Sequence, residues 1–333
     1  MDIEYLLFLQ QLREVTAGVF DGFFSYVTKL GEGAAPFIAL CILYLCVSKV
    51  LGLYVMMGWT LTRVGNGFTK ITACVYRPWI RDPRVKPVES AIAAATGYSF
   101  PSGHTSNAMT IYGGLAMRKD LPKMLRIGLA TVVVLVGFSR NWLGVHTPQD
   151  VLVALAMGFA FMLVSQKVFD MLDAYPNRDT LVASVGMLLA LALLAYTSLK
   201  HYPTDYDAAG NLIVDPAKMA NDSYKNAGYA LGFFVGWIIE KRYVCFSVEG
   251  TAQQRIRRGL WAVLGLLVVY YPLTAIIKLI IAGGAGSFVT CALLMLYITL
   301  IAPILIKRLE GQACLPGANQ APEEGASEPQ AAA

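Results

Sequence analysis

The sequence predicts an all-helical (all-α), polytopic membrane protein, and two observations lead to this fold class. Of the 333 residues, 56% are hydrophobic and only 15% are charged, and the mean hydropathy is +0.54. Apolar runs also recur along the chain, each close to the roughly 20 residues that a helix needs to cross a bilayer core. A membrane bundle therefore explains the composition better than the soluble domains that the length alone would allow.

The first element is the segment 1–32, which the sequence predicts to be amphipathic and to lie in the membrane interface. Hydrophobic residues recur there at three- and four-residue steps, with charged residues between them. A helix packed on the bundle is the alternative. Acidic residues occupy the place where a cleavable signal peptide would carry positive charge, so we expect insertion to rely on uncleaved spans.

About nine membrane spans are predicted after this segment. They are residues 34–50, 51–69, 101–117, 124–141, 149–170, 181–199, 226–239, 259–282 and 285–306. The first five belong to a core region at 33–175, and the other four form additional transmembrane helices at 176–308. Residues 309–333 are rich in Pro, Ala, Gly and Glu and lack apolar periodicity, which predicts a disordered cytoplasmic tail.

The charges of the loops predict the orientation of the bundle. The loops on one side carry Lys49, Arg118, Lys119, Lys123, Arg126, Lys241, Arg242, Arg255, Arg257, Arg258, Lys307 and Arg308. The loop 200–225 on the other side carries Asp205, Asp207, Asp215 and Asp222. The positive-inside rule then places the N-terminus outside and the C-terminus in the cytoplasm, with segments 70–100 and 140–148 on the outer face.

The cysteines and the net charge argue against several other classes of protein. The six cysteines are Cys41, Cys46, Cys74, Cys245, Cys291 and Cys314, and they form no Cys-x-x-Cys pair and no Cys/His cluster. We expect neither a disulfide framework nor a metal site. The net charge of +5 is spread over short loops, so we expect a bilayer rather than nucleic acid as the partner.

Three polar segments at the outer ends of the spans carry the functional signal. They read KITACVYRP at 70–78, PSGH at 101–104 and SRNWLGVHTPQD at 139–150. A single cation such as Lys70 often reaches to lipid headgroups, but Arg77 and Arg140 are predicted at the same face. The acidic residues expected near them are Asp82, Glu89 and Asp150. Three converging cations predict a pocket for a multiply charged oxyanion.

Two helix starts lie in the same segments. Ser102 is a predicted N-cap, which leaves the amides of Ser102 and Gly103 free to bind phosphate. Thr147 is a second predicted N-cap, and Asp150 falls at the third helical position as in a capping box. Asp150 either caps this helix alone or also accepts a hydrogen bond from His146, which would leave the other ring nitrogen as an oriented nucleophile.

Together the three segments resemble the signature of the type 2 phosphatidic acid phosphatase superfamily, which includes lipid phosphate phosphatases, undecaprenyl-diphosphate phosphatases, glucose-6-phosphatases and vanadium haloperoxidases. The matching residues are Lys70, Arg77, Pro78, Pro101, Ser102, Gly103, His104, Ser139, Arg140, His146 and Asp150. The resemblance covers about residues 34–172, so it identifies 33–175 as a catalytic phosphatase core. Glucose-6-phosphatases also have nine spans and an outward N-terminus, which makes 176–308 an analogous extension.

The resemblance implies a mechanism without a metal or other cofactor. It implies that His146 attacks phosphorus to form a phosphohistidine, that Asp150 orients the imidazole, and that His104 protonates the departing oxygen. The implied phosphate-binding residues are Lys70, Arg77, Ser102, Gly103 and Arg140. These roles agree with phosphoryl transfer, which needs in-line positioning and stabilisation of negative charge.

The predicted function is that of an integral membrane phosphatase acting on a phosphomonoester or diphosphate of a lipid, such as phosphatidate, phosphatidylglycerophosphate or a polyprenyl diphosphate. The alternatives are a sugar-phosphate phosphatase, a phosphotransferase, or a transporter that keeps a phosphate pocket without catalysis. A transporter would need the cations but no nucleophile, so the two histidines favour the enzyme. The expected location is a bacterial plasma membrane, with the site on the periplasmic, extracellular or luminal face.

Several polar residues outside the signature also have predicted places. Arg63 and Asn66 either support Lys70 or make hydrogen bonds within the bundle. Three basic residues follow the first signature segment, and they are Arg81, Arg84 and Lys86. One interpretation is that they contact a second phosphate or a lipid headgroup of the substrate. The other is that they attract anionic lipids in general. His201 lacks nearby partners in the sequence and is assigned to a surface loop.

Overall fold

A computed structural model describes residues 2–312, and it is built from helices. Within this range the extended pairing is a single antiparallel bridge between Tyr206 and Leu212. The all-helical class predicted from the sequence is therefore confirmed. The C-terminal helix runs to Glu310, two residues into the predicted tail, and Cys314 and the rest of that tail lie outside the described residues.

The first half of the chain forms ten helices. They are α1 (Asp2–Val15), α2 (Val19–Thr28), α3 (Ala35–Ile42), α4 (Lys49–Ala73), α5 (Pro78–Arg81), α6 (Glu89–Ile92), α7 (Gly103–Ala108), α8 (Gly114–Ala116), α9 (Lys123–Trp142) and α10 (Pro148–Ala174). A π-helical turn at Leu43–Val47 extends α3, and another at Met109–Gly113 joins α7 to α8.

The second half of the chain contributes six further helices. They are α11 (Asp179–Leu199), α12 (Pro216–Ile239), α13 (Ala252–Val268), α14 (Thr274–Ile280), α15 (Gly283–Leu296) and α16 (Ala302–Glu310). The π-helical turn Val269–Leu273 joins α13 to α14, and Tyr297–Ile301 joins α15 to α16. The C-terminal part of the chain therefore contains two long continuous helical segments.

Within residues 2–312, five helical segments are long and apolar enough to cross a membrane. They are Lys123–Trp142, Pro148–Ala174, Pro176–Leu199, Ala252–Ile280 and Gly283–Glu310. The pair Val19–Gly31 and Ala35–Val47 makes a sixth if it is one span bent by 47°. The protein is thus a multi-pass membrane protein, but the predicted count of about nine is not confirmed. Helices α4 and α12 have 25 and 24 residues, respectively, and both carry several polar and charged side chains.

The N-terminal helices pack against the bundle. Helix α2 lies along α9, and Leu9 of α1 is buried beside Trp142 and Val145. Arg13 donates hydrogen bonds to the backbone oxygens of Trp142 and Lys86, at 3.3 and 3.0 Å. These contacts attach the N-terminal segment to the end of α9 and to the loop that contains Lys86.

Helix α12 connects the C-terminal helices to the core. It packs against α4 on one side and against α15 on another. A Cβ added at Gly228 or Gly232 would lie 2.2 Å from the backbone oxygen of Phe288 or Ala292, so only glycine allows this approach of α12 to α15. Tyr229, which lies between these two glycines, packs edge-to-face against Trp59 of α4, with ring centroids 5.2 Å apart. Helix α12 therefore brings its N-terminal half close to α4.

Candidate active site

The three signature segments meet around one cavity of about 230 Å³, although they are separated in the chain. Lys70 lies near the end of α4, and Arg77 lies just before α5. Gly103 and His104 begin α7, and His146 lies in the loop before α10. All five residues line the cavity. Segments that are distant in the sequence are thus brought together at a single site.

His146 and Asp150 form a buried pair at the start of α10. The Nδ1 atom of His146 lies 3.2 Å from Oδ2 of Asp150, and both side chains are 2% exposed. Because a carboxylate only accepts, this contact places the proton on Nδ1 and leaves Nε2 with a free lone pair. Nη1 of Arg77 donates to that Nε2 at 2.9 Å. Nε2 is therefore the nitrogen that faces the cationic side of the cavity.

Asp150 combines the two roles that the sequence left open. Thr147 and Asp150 form a capping box at the start of α10, in which the Thr147 amide donates to Oδ2 of Asp150 at 2.9 Å. The hydroxyl of Ser99 donates to the same oxygen at 2.6 Å. The amide of Ser102 also donates to the backbone oxygen of Asp150, at 3.0 Å, and this joins the starts of α7 and α10. Ser99 was not predicted, because it precedes the second signature segment and belongs to no motif.

Burial and charge keep the imidazole of His146 neutral. Burial is the main cause that holds the pKa of His146 well below its usual value, and the charge of Arg77 acts in the same direction. The carboxylate of Asp150 opposes this shift without cancelling it. A neutral imidazole is the form that attacks an electrophile.

The three signature cations bind neutral oxygens. Nζ of Lys70 donates to the backbone oxygen of Tyr98 at 2.7 Å. Arg77 donates to the backbone oxygens of Gly97 and Thr96 at 3.1 and 2.6 Å. Burial lowers the pKa of Arg77 to about 10, so it keeps its charge at neutral pH. Among residues 2–312, no carboxylate forms an ion pair with any of the three.

Arg140 has unused hydrogen-bonding capacity. It is fully buried, and its Nη1 donates to the hydroxyl of Thr28 at 2.6 Å. Its Nε and Nη2 atoms have no hydrogen-bond partner among the described residues. Leaving charged donors unsatisfied in a buried place is costly, which favours an anion as the missing partner.

Ser102 caps α7 as the sequence predicted. Its hydroxyl accepts a hydrogen bond from the Thr105 amide at 3.4 Å and from the Thr105 hydroxyl at 2.9 Å. Gly103 lies on the cavity side, where an added Cβ would meet only Nη1 of Arg63, at 3.8 Å. The backbone at this helix start is therefore open to a ligand in the cavity.

His104 has a partner that the sequence did not reveal. Oε2 of Glu32 accepts a hydrogen bond from Nε2 of His104 at 2.7 Å. Burial would raise the pKa of Glu32, but the hydrogen bond from His104 and the nearby charge of Arg140 bring it below its usual value. The signal in the sequence is weak, because Glu32 is one acidic residue in a Gly-Glu-Gly turn 72 residues before its partner.

The acidic residues at the site differ from those predicted. Asp82 binds Arg84 outside the cavity, and Glu89 is exposed, so the expectation that these two lie near the cationic pocket was wrong. Glu32 and Asp222 line the cavity instead. Asp222 was assigned to the loop 200–225, but α12 begins at Pro216 and carries it inward.

Helix α12 adds a mixed group of polar side chains to the cavity wall. Asp222 pairs with Lys225 at 3.1 Å and accepts a hydrogen bond from the Thr96 hydroxyl at the same distance. Asn226 and Tyr229 of the next turn also line the cavity. The additional transmembrane helices thus form part of the site.

The other polar residues singled out in the sequence differ in their relation to the site, because Arg63 and Asn66 line the cavity and the basic residues after the first signature segment do not. Asn66 donates to Ser106 at 3.3 Å, so it supports α7 and not Lys70. Arg81 pairs with Asp2 at 2.8 Å. Arg84 pairs with Asp82 and with Glu4. Arg81 and Arg84 therefore bind acidic groups of the N-terminal helix and of their own loop.

Two further expectations concern the surface and the metals. His201 is exposed, as predicted. Within residues 2–312, no group of three or more His, Cys, Asp or Glu side chains could hold a metal ion, and Cys41, Cys46, Cys74 and Cys291 are free thiols.

Comparison with known families places the site within a matched segment. Residues 39–173 match the family described as the PAP2 superfamily, which is the type 2 phosphatidic acid phosphatase superfamily, and they include every signature residue. Residues 224–313 match the description "PAP2 superfamily phosphatase, transmembrane extension". Glu32 lies outside both segments, whereas Lys225, Asn226 and Tyr229 lie in the second.

Three curated proteins are similar to the matched core. A phosphatidylglycerophosphatase B of Bacillus subtilis is 38% identical over 113 residues, which cover 31% of this chain and 54% of that protein. An undecaprenyl-diphosphatase BcrC of the same organism is 37% identical over 92 residues, or 26% of this chain and 45% of the relative. An undecaprenyl-diphosphatase of Sulfolobus acidocaldarius is 26% identical over 150 residues, or 44% of this chain and 70% of the relative.

The chain spans about half the length of the first two of these relatives. No solved structure matches it significantly. The two family matches cover the signature residues and most of the C-terminal helices. The chain therefore belongs to the PAP2 superfamily and carries the transmembrane extension of its phosphatases.

Proposed function

We propose that this protein is an integral membrane phosphatase that hydrolyses a phosphomonoester or diphosphate of a lipid through a phosphohistidine. The observation that carries this proposal is the buried His146–Asp150 pair, whose free Nε2 faces Arg77 in a cavity that also holds His104. A site that only binds phosphate needs cations, but it does not need a neutral imidazole held in one tautomer by a carboxylate. The relatives named as phosphatidylglycerophosphatase and undecaprenyl-diphosphatase support a lipid substrate.

In the first step the substrate phosphate replaces the hydrogen bond between Arg77 and His146. Nε2 of His146 attacks phosphorus in line with the leaving oxygen, and the bond between phosphorus and that oxygen breaks. His104 gives its proton to the leaving oxygen, so the alcohol or lipid phosphate departs protonated. The cations Lys70, Arg77 and Arg140 and the amide of Gly103 stabilise the equatorial oxygens, whereas the Ser102 amide, which the sequence predicted to be free for phosphate, is held by the backbone oxygen of Asp150.

In the second step water takes the place of the leaving group. His104, now neutral, accepts a proton from the water as its oxygen attacks phosphorus. The bond between phosphorus and Nε2 breaks, and inorganic phosphate leaves. Asp150 holds the Nδ1 proton throughout and stabilises the charge that the imidazole gains. All of these groups belong to the chain itself, and we propose that no metal takes part.

Glu32 is proposed as the residue that positions His104. Its carboxylate holds the imidazole at 2.7 Å, and a neighbouring negative charge stabilises a protonated imidazole. The site would then contain two histidine–carboxylate pairs, one for the nucleophile and one for the acid. Glu32 acts through His104 and is not proposed to touch the substrate.

The site is proposed to face the outer side of a bacterial plasma membrane, with the C-terminus in the cytoplasm. The cations of the loops and the bacterial relatives support this orientation and place. A bundle of about nine spans, with α4 and α12 among them, fits the same topology. The lipid would reach the cavity sideways, because the cavity is walled by helices of the bundle.

The experiment that tests the proposed function is phosphate release by the purified protein in detergent, with a chelator present and with vanadate as inhibitor. His146→Ala should lower the rate by a factor of roughly 10³ or more, because the nucleophile is lost. His201→Ala is the matched control, since this third histidine is exposed and lies away from the cavity. Full activity of the His146→Ala variant would contradict the proposed mechanism.

A further inference from the structure

Arg63 is a cavity-lining arginine that lies outside the signature. Its guanidinium carbon is 5.2 Å from the ring centroid of Trp59 on α4 and 5.2 Å from that of Tyr229 on α12. Trp59 is itself fixed by a hydrogen bond from its indole nitrogen to Asn107, at 2.9 Å. Two aromatic faces therefore hold the guanidinium in place before any ligand binds.

The guanidinium of Arg63 has no anionic partner in the described part of the chain. No carboxylate of residues 2–312 forms an ion pair with it, and its buried Nε atom has no hydrogen-bond partner. Its Nη1 atom points toward the start of α7, 3.8 Å from the position that a Cβ on Gly103 would take. A cation in an apolar bundle usually has an anion or an aqueous cavity beside it, and here it faces the substrate cavity.

The position of Arg63 differs from that of the signature cations along the membrane normal. Arg63 precedes Lys70 by seven residues of the same helix, which corresponds to about 10 Å along the axis of α4. With the orientation proposed above, α4 runs outward, so Arg63 lies deeper in the membrane than Lys70. The lipid side of the scissile bond must lie at this deeper level, while the transferred phosphate lies among Lys70, Arg77 and Arg140.

We propose that Arg63 binds a second, non-transferred phosphate of the lipid substrate. This inference rests on the proposed function and deepens it. The substrate class would be lipids with two phosphates, either a lipid diphosphate or a phosphomonoester that also carries a phosphodiester. Phosphatidate has a single phosphate and would leave Arg63 without a partner. Because Tyr229 belongs to the transmembrane extension, the extension would help to select the substrate.

The test compares three lipids on the same preparation of Arg63→Gln. The value of kcat/KM should fall roughly 10- to 100-fold for phosphatidylglycerophosphate or for a polyprenyl diphosphate, the loss expected for a hydrogen-bonded charge pair. For phosphatidate it should change by less than about threefold. Of the two lipids that carry a second phosphate, the one with the larger loss in kcat/KM shows which kind of second phosphate Arg63 binds. The ratio between substrates does not depend on the fraction of protein that folds, and Arg63→Lys should lie between wild type and Arg63→Gln.

The control is Arg118→Gln, which removes another arginine from an aromatic face, that of Tyr54 at 5.6 Å, away from the cavity. This variant should leave all three values near those of the wild type. Equal losses of Arg63→Gln for all three lipids, or no loss for any of them, would overturn the inference.

A binding measurement separates this inference from the proposed function. In His146→Ala, the fluorescence of Trp59 should report binding of a polyprenyl diphosphate and of the corresponding monophosphate without turnover. Adding Arg63→Gln should weaken the diphosphate roughly 10- to 100-fold and the monophosphate by less than about threefold. An equal effect on both would reject the role of Arg63 even if the enzyme is active. Selective weakening would support that role even if catalysis takes another route.

Discussion

At the scale of single residues, Asp150 links helix capping to catalysis. It closes the capping box of α10 and accepts a hydrogen bond from His146. The two roles use the same carboxylate, because a residue at the third position of a helix lies close to the residue just before its N-cap. An amide at this position would keep part of the cap but lose the charge.

Asp150→Asn should separate the two roles. We expect kcat to fall by a factor of roughly 10³ to 10⁴, because the amide neither fixes the tautomer of His146 nor stabilises its charge. The free energy of unfolding should fall by only about 1 kcal/mol, because the side-chain oxygen of the new Asn still accepts a hydrogen bond from the Thr147 amide. Ser99→Ala is the milder comparison, because it removes one hydrogen bond and leaves the carboxylate in place. Equal activity of Asp150→Asn and wild type would exclude a catalytic role of the carboxylate.

The surroundings of His146 predict how the activity depends on pH. Burial and the charge of Arg77 keep the pKa of His146 well below its usual value, so the imidazole stays neutral as the pH falls through that value. The acid limb of kcat/KM should therefore lie below about pH 6.5, the usual midpoint for histidine. Arg77→Gln removes the positive charge that disfavours protonation of His146. The pKa of His146 should therefore rise, and the acid limb should move to higher pH. A pH–rate profile of both proteins measures the shift, and an unchanged limb in the variant would contradict this explanation.

Glu32 predicts an effect on the limb of the same profile that deprotonation of His104 sets, because its carboxylate opposes the burial and the Arg140 charge that lower the pKa of His104. In Glu32→Gln the amide keeps contact with His104 but no longer stabilises its protonated form. We expect kcat to fall roughly 10- to 100-fold, within the range of general acid–base effects, and this limb to move to lower pH. Glu32→Asp should keep more of the activity than Glu32→Gln does and should move this limb less. A loss of activity without any shift of the limb would indicate a role in folding alone.

At the scale of helices, α12 is the element that connects the transmembrane extension to the active site. Its glycines allow the close approach to α15, while its opposite side packs on α4. The same helix carries Asp222, Lys225 and Tyr229 to the cavity. Displacement of α12 would therefore change both the stability of the bundle and the wall of the site.

Gly232→Ala should test this packing. An added Cβ would lie 2.2 Å from the Ala292 backbone oxygen, so we expect a loss of about 1–3 kcal/mol in the free energy of unfolding. Activity should fall as well, because α12 must move away from α15. Gly128→Ala on α9 is the matched control, since nothing lies within 4 Å of its added Cβ. Thermal unfolding in detergent compares the two, and equal melting temperatures would show that the α12–α15 contact is unimportant.

Local pairs at the site were predictable from the sequence, and distant pairs were not. His146 and Asp150 are four residues apart, so the helix start that joins them also sets their distance. The pairing of His104 with Glu32 requires the packing of α7 against the turn before α3, which no local pattern encodes. Asp222 was predicted to lie in a loop for a similar reason. The first turns of α12 are polar and resemble a loop in the sequence, because no local pattern shows that they pack against α4.

At the scale of the whole molecule, the composition predicted the class of fold but not the number of spans. Five or six helical segments meet the requirements of length and hydropathy. Helices α4 and α12 are long enough to span, yet the polar residues that serve the cavity reduce their hydropathy. The residues that form the site are thus the same residues that keep these two helices out of the count of five or six.

The molecule is accordingly organised around one cavity, to which three regions contribute. The core supplies the nucleophile and the cations, the N-terminal segment supplies Glu32, and the extension supplies the wall formed by α12. The N-terminal segment directly precedes the core, but Glu32 lies 72 residues before its partner His104. We propose that this arrangement serves phosphoryl transfer to His146.

The most direct test of that claim is to trap the phosphorylated enzyme. The purified protein is mixed with a lipid substrate labelled in its terminal phosphate, quenched with alkali, which preserves phosphohistidine, and digested for mass spectrometry. We predict a phosphoryl group on His146, absent from His146→Ala and retained in His201→Ala. A wild-type protein that releases phosphate while no labelled histidine forms, or a label carried by another residue, would contradict the account.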